Sequence, residues 1–179
     1  AYSVFTNNIA KKNGGAIDWN ATGGNLTYTE FIGNVADYGA ALCRESGATG
    51  GFGYGNGFIS NHARISGAAL GWMGSKGINI TYYFFYNNTA DVSGGAIYVG
   101  PGAENCLIED SIFIEKSVLN DDGKGGAIYA EAGHANILNT SFTGNHATDG
   151  GAIFADRTAG NANITNSRFN ANYAKENTT

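Results

Sequence analysis

A chain of 179 residues with only 14% charged residues, a net charge of −5 and a pI near 5.0 carries no basic stripe for nucleic acid. No apolar run approaches the ~20 residues of a membrane-spanning helix. With 28 Gly, a single Pro and abundant Asn and Thr, the composition suits short strands joined by tight turns.

Taken in order, the chain opens with the end of a strand, Tyr2 to Phe5, and Phe5 with Asn8 begins a phrase, F-x-x-N, that keeps returning. It recurs as Phe31/Asn34, Phe58/Asn61, Phe85/Asn88, Phe142/Asn145 and Phe169/Asn172, and Phe113/Lys116 is the copy that loses its Asn. The Phe-to-Phe steps are 26, 27, 27, 28, 29 and 27 residues. A second phrase follows the first six: G-G-A-I at Gly14–Ile17, Gly94–Ile97, Gly125–Ile128 and Gly150–Ile153, softened to G-A-A-L at Gly39–Leu42 and Gly67–Leu70. Two linked phrases with one period mark a repeat protein whose units bury their apolar side only by stacking.

Within each unit the apolar residues alternate over short runs, and no run has helical spacing long enough for a pair of helices. Strands stacked one coil per unit put residues of equal phase directly above one another, roughly 4.8 Å apart. The seven Phe then form one internal aromatic stack, and Leu26, Ile80, Ile108, Ile137 and Ile164, each five residues before a Phe, an aliphatic one. The Asn column belongs at a turn, where each amide bonds the next Asn and nearby backbone. Each Gly pair belongs at a corner, where the chain needs positive φ or close backbone approach. The fold class is all-β: a single-stranded parallel β-helix, or β-solenoid, of about six to seven coils of ~27 residues, one domain over residues 1–179.

The paired G-G-A-I and F-x-x-N phrases resemble the repeats of the chlamydial polymorphic outer-membrane proteins. Similar repeats occur in adhesin-like surface proteins of methanogens and in large extracellular proteins of some unicellular eukaryotes. The resemblance covers essentially the whole chain, departing from the pattern in the G-A-A-L coils and at Lys116. It implies a right-handed parallel β-helix, an extracellular or cell-surface location and an adhesin-like role, and it supplies no catalytic residues.

Other features are read coil by coil. Trp19 and Trp72 lie two residues after Ile17 and Leu70, in a slot that alternation points inward, and read as core. The segment Ser46 to Gly57 holds six glycines; lacking a following helix it is no phosphate loop, and it reads as a thin wall whose backbone packs against other backbone. Cys43 and Cys106 fall in coils two and four, too far apart to bridge, and read as free thiols or as links to other chains. Asp91, Asp121, Asp122 and Asp149 line the acidic turns beside Lys124 but match no calcium-binding spacing, so no metal is expected. His62 and His146 share a slot three coils apart, and His134 stands alone in a turn. No cofactor motif is present.

Seven N-x-[ST] sequons occur, at Asn20, Asn25, Asn79, Asn87, Asn139, Asn163 and Asn177, against about three expected by chance. All seven are candidate glycosylation sites in a cell that glycosylates secreted proteins, and Asn79 and Asn163, which share one outward slot with Asn25, are the best candidates. The slots flanking each Phe also point outward. In the middle coils they are apolar, and Ile32, Ile59, Phe84, Tyr86, Ile112 and Ile114 make a candidate binding patch for a host-cell, matrix or glycan ligand. The terminal coils carry no distinct cap, so the expectation is continuation into a longer chain or self-association through the solenoid ends into a fibre. Two functional readings follow: a non-catalytic scaffold or adhesin, and a polysaccharide-active enzyme of the pectate lyase kind. The near-constant coil length, with no long loops to build a cleft and no converging catalytic set, favours the first.

Overall fold

The computed structural model describes residues 2–160 and 162–174. Within them are 25 strands and no helix, gathered into four all-parallel sheets that run the length of the stack. One coil contributes one strand to each sheet. In the fourth coil these are Phe84–Tyr86 in the Phe sheet, Thr89–Ala90 in the Ala sheet, Ile97–Val99 in the Gly-Gly sheet and Cys106–Glu109 in the sequon sheet.

The register is that of the repeat. Phe85 pairs with Phe58 below and Phe113 above, Ala90 with Ala63 and Val118, and Ile97 with Leu70 and Ile128. The seven Phe rings stack nearly parallel, with neighbouring centroids 5.1, 4.9, 5.2, 4.3, 4.7 and 4.9 Å apart, and Phe31 through Phe142 are fully buried. Their spacing is the strand spacing itself, so one choice of residue repeated in phase packs this side of the lumen.

The Asn column caps the end of the Phe sheet and leaves no amide atom idle. Asn61 accepts from the backbone N–H and Nδ2 of Asn34 at 2.9 Å each; its own Nδ2 donates to Phe31 O at 3.0 Å and to Asn88 Oδ1 at 2.9 Å. Asn34 and Asn61 are thus buried amides with both donors and both lone pairs met.

Two glycine demands explain the second phrase. Gly94 sits at φ 62°, in the left-handed region, and a Cβ on Gly95 would meet the carbonyl oxygen of Gly126 at 2.2 Å. The corner turns by the first glycine and clears the next coil by the second.

The glycine-rich wall of coil two departs from the expected backbone-on-backbone packing. A Cβ on Gly53 would lie 1.8 Å from the Tyr83 hydroxyl, one on Gly51 would lie 3.0 Å from the Arg44 guanidinium, and one on Gly24 would lie 2.0 Å from the Trp19 ring. The wall is thin because three large side chains have moved inward. Gly53 takes the place of Ile in the aliphatic column, and Tyr83, in a slot that holds Ser or Thr in most coils, fills the space.

Candidate functional site

The outward slots of the Phe sheet assemble into two adjacent rows. One runs Gly57, Phe84, Ile112; the other runs Ile32, Ile59, Tyr86, Ile114. All six residues of the sequence-derived patch therefore share one face. Phe84, Tyr86 and Ile112 are 39%, 38% and 43% exposed, and Ile32, Ile59 and Ile114 are half-buried beside them. The Phe84 and Tyr86 rings lie side by side, 6.3 Å apart and 10° from parallel.

The patch extends further than the sequence reading placed it. At the corner before the Phe sheet, Tyr28, Tyr54 and Tyr82 form an edge-to-face ladder with centroids 5.6 and 5.3 Å apart. Tyr28 and Tyr82 are more than half exposed, at φ 47° and 56°. Counting aromatic residues three before each Phe finds two of these rings; Tyr54 sits one place earlier, at the end of its strand. A carboxylate stands against several phenols. The Tyr86 hydroxyl hydrogen-bonds Glu115, and Tyr82 lies in the field of Asp110, each carboxylate raising its phenol's pKa. The face is apolar and aromatic at its centre and acidic at its rim.

A second aromatic column runs along the outside of the Gly-Gly sheet. Tyr38, Tyr98, Tyr129 and Phe154 follow one another with centroids 5.7, 5.9 and 6.0 Å apart. Tyr98 donates a short hydrogen bond to Glu131, and burial together with that carboxylate pushes its phenol far up. Lys124 Nζ sits 5.0 Å from the centroid of the Phe154 ring, within cation–π range.

Below this column the same face carries Asp18 and Cys43, in register, with Glu45 beside them; one ligand atom from each lies within 4.8 Å of the others. Glu45 accepts from Asn13 Nδ2 at 2.6 Å. Burial, then the charge of Glu45 and a hydrogen bond to it, raise the Asp18 carboxyl. Burial first, then these carboxylates, push the Cys43 thiol far up, leaving it protonated and unreactive. Among the described residues this is the one set of three metal-type side chains that comes together. The acidic turns do not converge: the register puts Ser93, Lys124 and Asp149 in one column and leaves Asp91 beside His62 at 3.4 Å. His146 pairs in the same column as His62, two coils of intervening Thr89 and Ser117 away, and stacks on Tyr173.

Cys43 and Cys106 are both free and buried. The sequon residues Asn20, Asn25, Asn79, Asn87, Asn139 and Asn163 are all exposed, with Asn25 and Asn79 on either side of Phe52 in the sequon sheet. Asn177 lies outside the described residues. No helix among the described residues is long and apolar enough to cross a membrane, which leaves β-barrel segments elsewhere unaddressed.

Residues 2–18, 83–100 and 139–156 match the model of the Chlamydia polymorphic membrane protein repeat. Each matched segment contains one complete F-x-x-N phrase and one complete G-G-A-I phrase, and the unmatched coils include those with G-A-A-L and the one with Lys116. The chain is also 32% identical over 101 residues to the probable autotransporter YfaL of Escherichia coli (strain K12), an overlap of 52% of this chain and 8% of that protein. No solved structure matches the chain. The repeat matches and the parallel solenoid together mark this chain as a cell-surface β-helix whose repeats are similar to those of the polymorphic membrane proteins.

Proposed function

We propose that this β-solenoid is a non-catalytic adhesive scaffold, and that it holds a protein partner on the outer face of its Phe sheet. The single observation behind this reading is the pair of exposed apolar rows, Gly57–Phe84–Ile112 and Ile32–Ile59–Tyr86–Ile114, on a face where soluble strands ordinarily place polar residues. The carboxylates at the rim favour a partner with a basic border around an apolar centre. Changing Phe84 and Tyr86 to Ser removes two central aromatic anchors without touching the lumen. Binding to whole cells and to matrix-protein surfaces is expected to fall at least tenfold, with the melting temperature nearly unchanged. Equal binding by the variant removes the face as the adhesive site, and retention on a glycan array in place of protein surfaces assigns it to a carbohydrate instead.

Self-association through the solenoid ends, or continuation of the stack by the same polypeptide, is a further part of the proposal. It is supported by the all-parallel stacking itself, in which every coil pairs with the next through one strand in each of the four sheets. Sedimentation across a wide concentration range reads this separately from ligand binding.

The polysaccharide-active alternative rests on the neighbouring Asp18 and Glu45 carboxyls, of which Asp18 is raised by burial and by Glu45, the direction a general acid requires. Incubation with polygalacturonate and related polymers is expected to release neither unsaturated nor reducing ends. Release that disappears in Asp18→Asn overturns the non-catalytic reading.

A further inference from the structure

The first three coils contain a buried cation in the lumen. Trp19, Arg44 and Trp72 occupy one inward column, paired in register, with Trp72 1% and Arg44 6% exposed. The guanidinium carbon lies 5.4 Å from the Trp19 ring centroid. Arg44 Nη2 donates to Gly50 O at 2.6 Å and to Gly23 O at 3.3 Å, carbonyls of the glycine-rich wall.

Among the described residues no carboxylate pairs with this charge. The ion pairs among the described residues join His62 to Asp91, Arg64 to Asp37 and Lys76 to Glu104, and none includes Arg44. The titratable groups that face it are the Tyr83 phenol and the Cys106 thiol, both held neutral by burial. An unpaired charge enclosed at this depth is destabilising unless something answers it.

Two further facts point to what completes the site. Arg44 Nε and Trp19 Nε1 are buried, and neither has a hydrogen-bond partner. Both residues line a small cavity, with free space of about 20 Å³, that is closed by Trp72, Tyr83, Gly51 and Gly53. The unpartnered side-chain atoms on its walls are N–H donors. A neutral water accepts from both but brings two hydrogens of its own into a mostly apolar chamber. A monoatomic anion accepts from both donors, needs no acceptor in return, and neutralises the guanidinium.

We propose that the cavity between Trp19, Arg44 and Trp72 is an anion site that takes a single halide, chloride in solution, held by Arg44 Nε–H and Trp19 Nε1–H. The glycines of the coil-two wall then have a second use: they give the guanidinium and the ion room inside a lumen that elsewhere is filled with apolar side chains. The ion locks coils one to three together, separately from the adhesive face on the Phe sheet.

The test compares thermal unfolding in potassium chloride and in potassium gluconate at equal ionic strength. The melting temperature is expected to be several degrees higher in chloride, and to rise with chloride concentration as a single-site ligand requires. Arg44→Met, which keeps the stem and removes the charge, is expected to abolish the difference. Trp19→Phe, which keeps a ring and removes one donor, reduces it and serves if the Arg44 variant does not fold. Crystals grown in bromide are expected to show one anomalous peak within hydrogen-bond distance of both nitrogens. Equal melting temperatures in the two salts, or a bromide crystal with no peak in the cavity, overturns the assignment.

Discussion

Lys116 stands in the place of an Asn between Asn88 and Asn145, and its backbone N–H donates to Asn145 Oδ1 at 3.1 Å as an Asn in the ladder does. Its side chain is fully buried, with Nζ donating to Ile114 O at 2.6 Å and lying 6.0 Å from the Tyr86 ring centroid. Burial brings the ammonium down to about 6, with the charge of the exposed Glu115 opposing weakly.

A depressed lysine pKa has a definite consequence for stability. Between pH 6 and 10.5 the unfolded chain holds a proton that the folded chain has released, so stability rises with pH across this window. Below pH 6 both states are charged and the folded state carries the full burial cost. Lys116→Asn restores the amide ladder and is expected to be more stable than the parent at pH 6. The gap should narrow as pH rises, by up to about 1.4 kcal/mol per unit. Urea unfolding of both proteins from pH 6 to 10 measures it, and a pH-independent gap contradicts a buried neutral lysine.

Gly53 and Tyr83 are expected to behave as one unit. Gly53→Ile places a side chain where the Tyr83 hydroxyl sits, at 1.8 Å from even a Cβ, and destabilises by overpacking. Tyr83→Ser, returning the slot to its usual residue type, empties the lumen beside Gly53 and costs about 3–5 kcal/mol. The double variant recreates the pattern of neighbouring coils, with Ile at one place and Ser at the other. Its stability is expected to exceed the sum of the single effects by about 1–3 kcal/mol. Strict additivity in a double-mutant cycle shows that the two side chains do not share the space.

These two sites also show where sequence reading stops. The Phe stack, the Asn ladder and the outward patch were legible because each depends on one residue type returning in one phase, and phase is register in a solenoid. Arg44, Tyr83 and Gly53 each occur once in their columns and compensate one another across coils, so no periodic signal announces them. Asp18 and Cys43 were within reach, since each follows the Ile or Leu of its corner phrase by one residue. Their convergence with Glu45 depends on side-chain direction outside the sheet, which spacing alone does not specify.

The two thiols are expected to be silent in the folded protein. Cys43 is fully buried and Cys106 is 1% exposed, and burial raises both above the ordinary thiol range. An aromatic disulfide reagent at pH 8 should release no chromophore from the native chain and two equivalents in denaturant. Native-state reaction at a rate independent of unfolding places at least one thiol at the surface.

The Asn ladder makes the sharpest demand on chemistry, because its position 61 needs both donors and acceptors. Asn61→Ala leaves the Asn34 backbone N–H without its acceptor, at a cost of about 1–3 kcal/mol. Asn61→Asp keeps the acceptor but sets carboxylate oxygens against Phe31 O and Asn88 Oδ1, the two acceptors that Nδ2 satisfied. The Asp carboxyl is then buried beside lone pairs, and its pKa must rise above the unfolded value near 4. A raised acid pKa stabilises the fold below the unfolded value and loses that contribution as pH climbs through the folded one. The Asp variant should therefore be less stable than the Ala variant at pH 8 and recover relative to it as pH falls toward 4. This is a slope of the same sign per proton as a buried acid and opposite to that of Lys116. Chemical denaturation of the two variants at pH 4, 6 and 8 reads it directly. An Asp variant as stable as the parent at pH 8 shows that the Nδ2 donors are dispensable and that the ladder is held by backbone pairing alone.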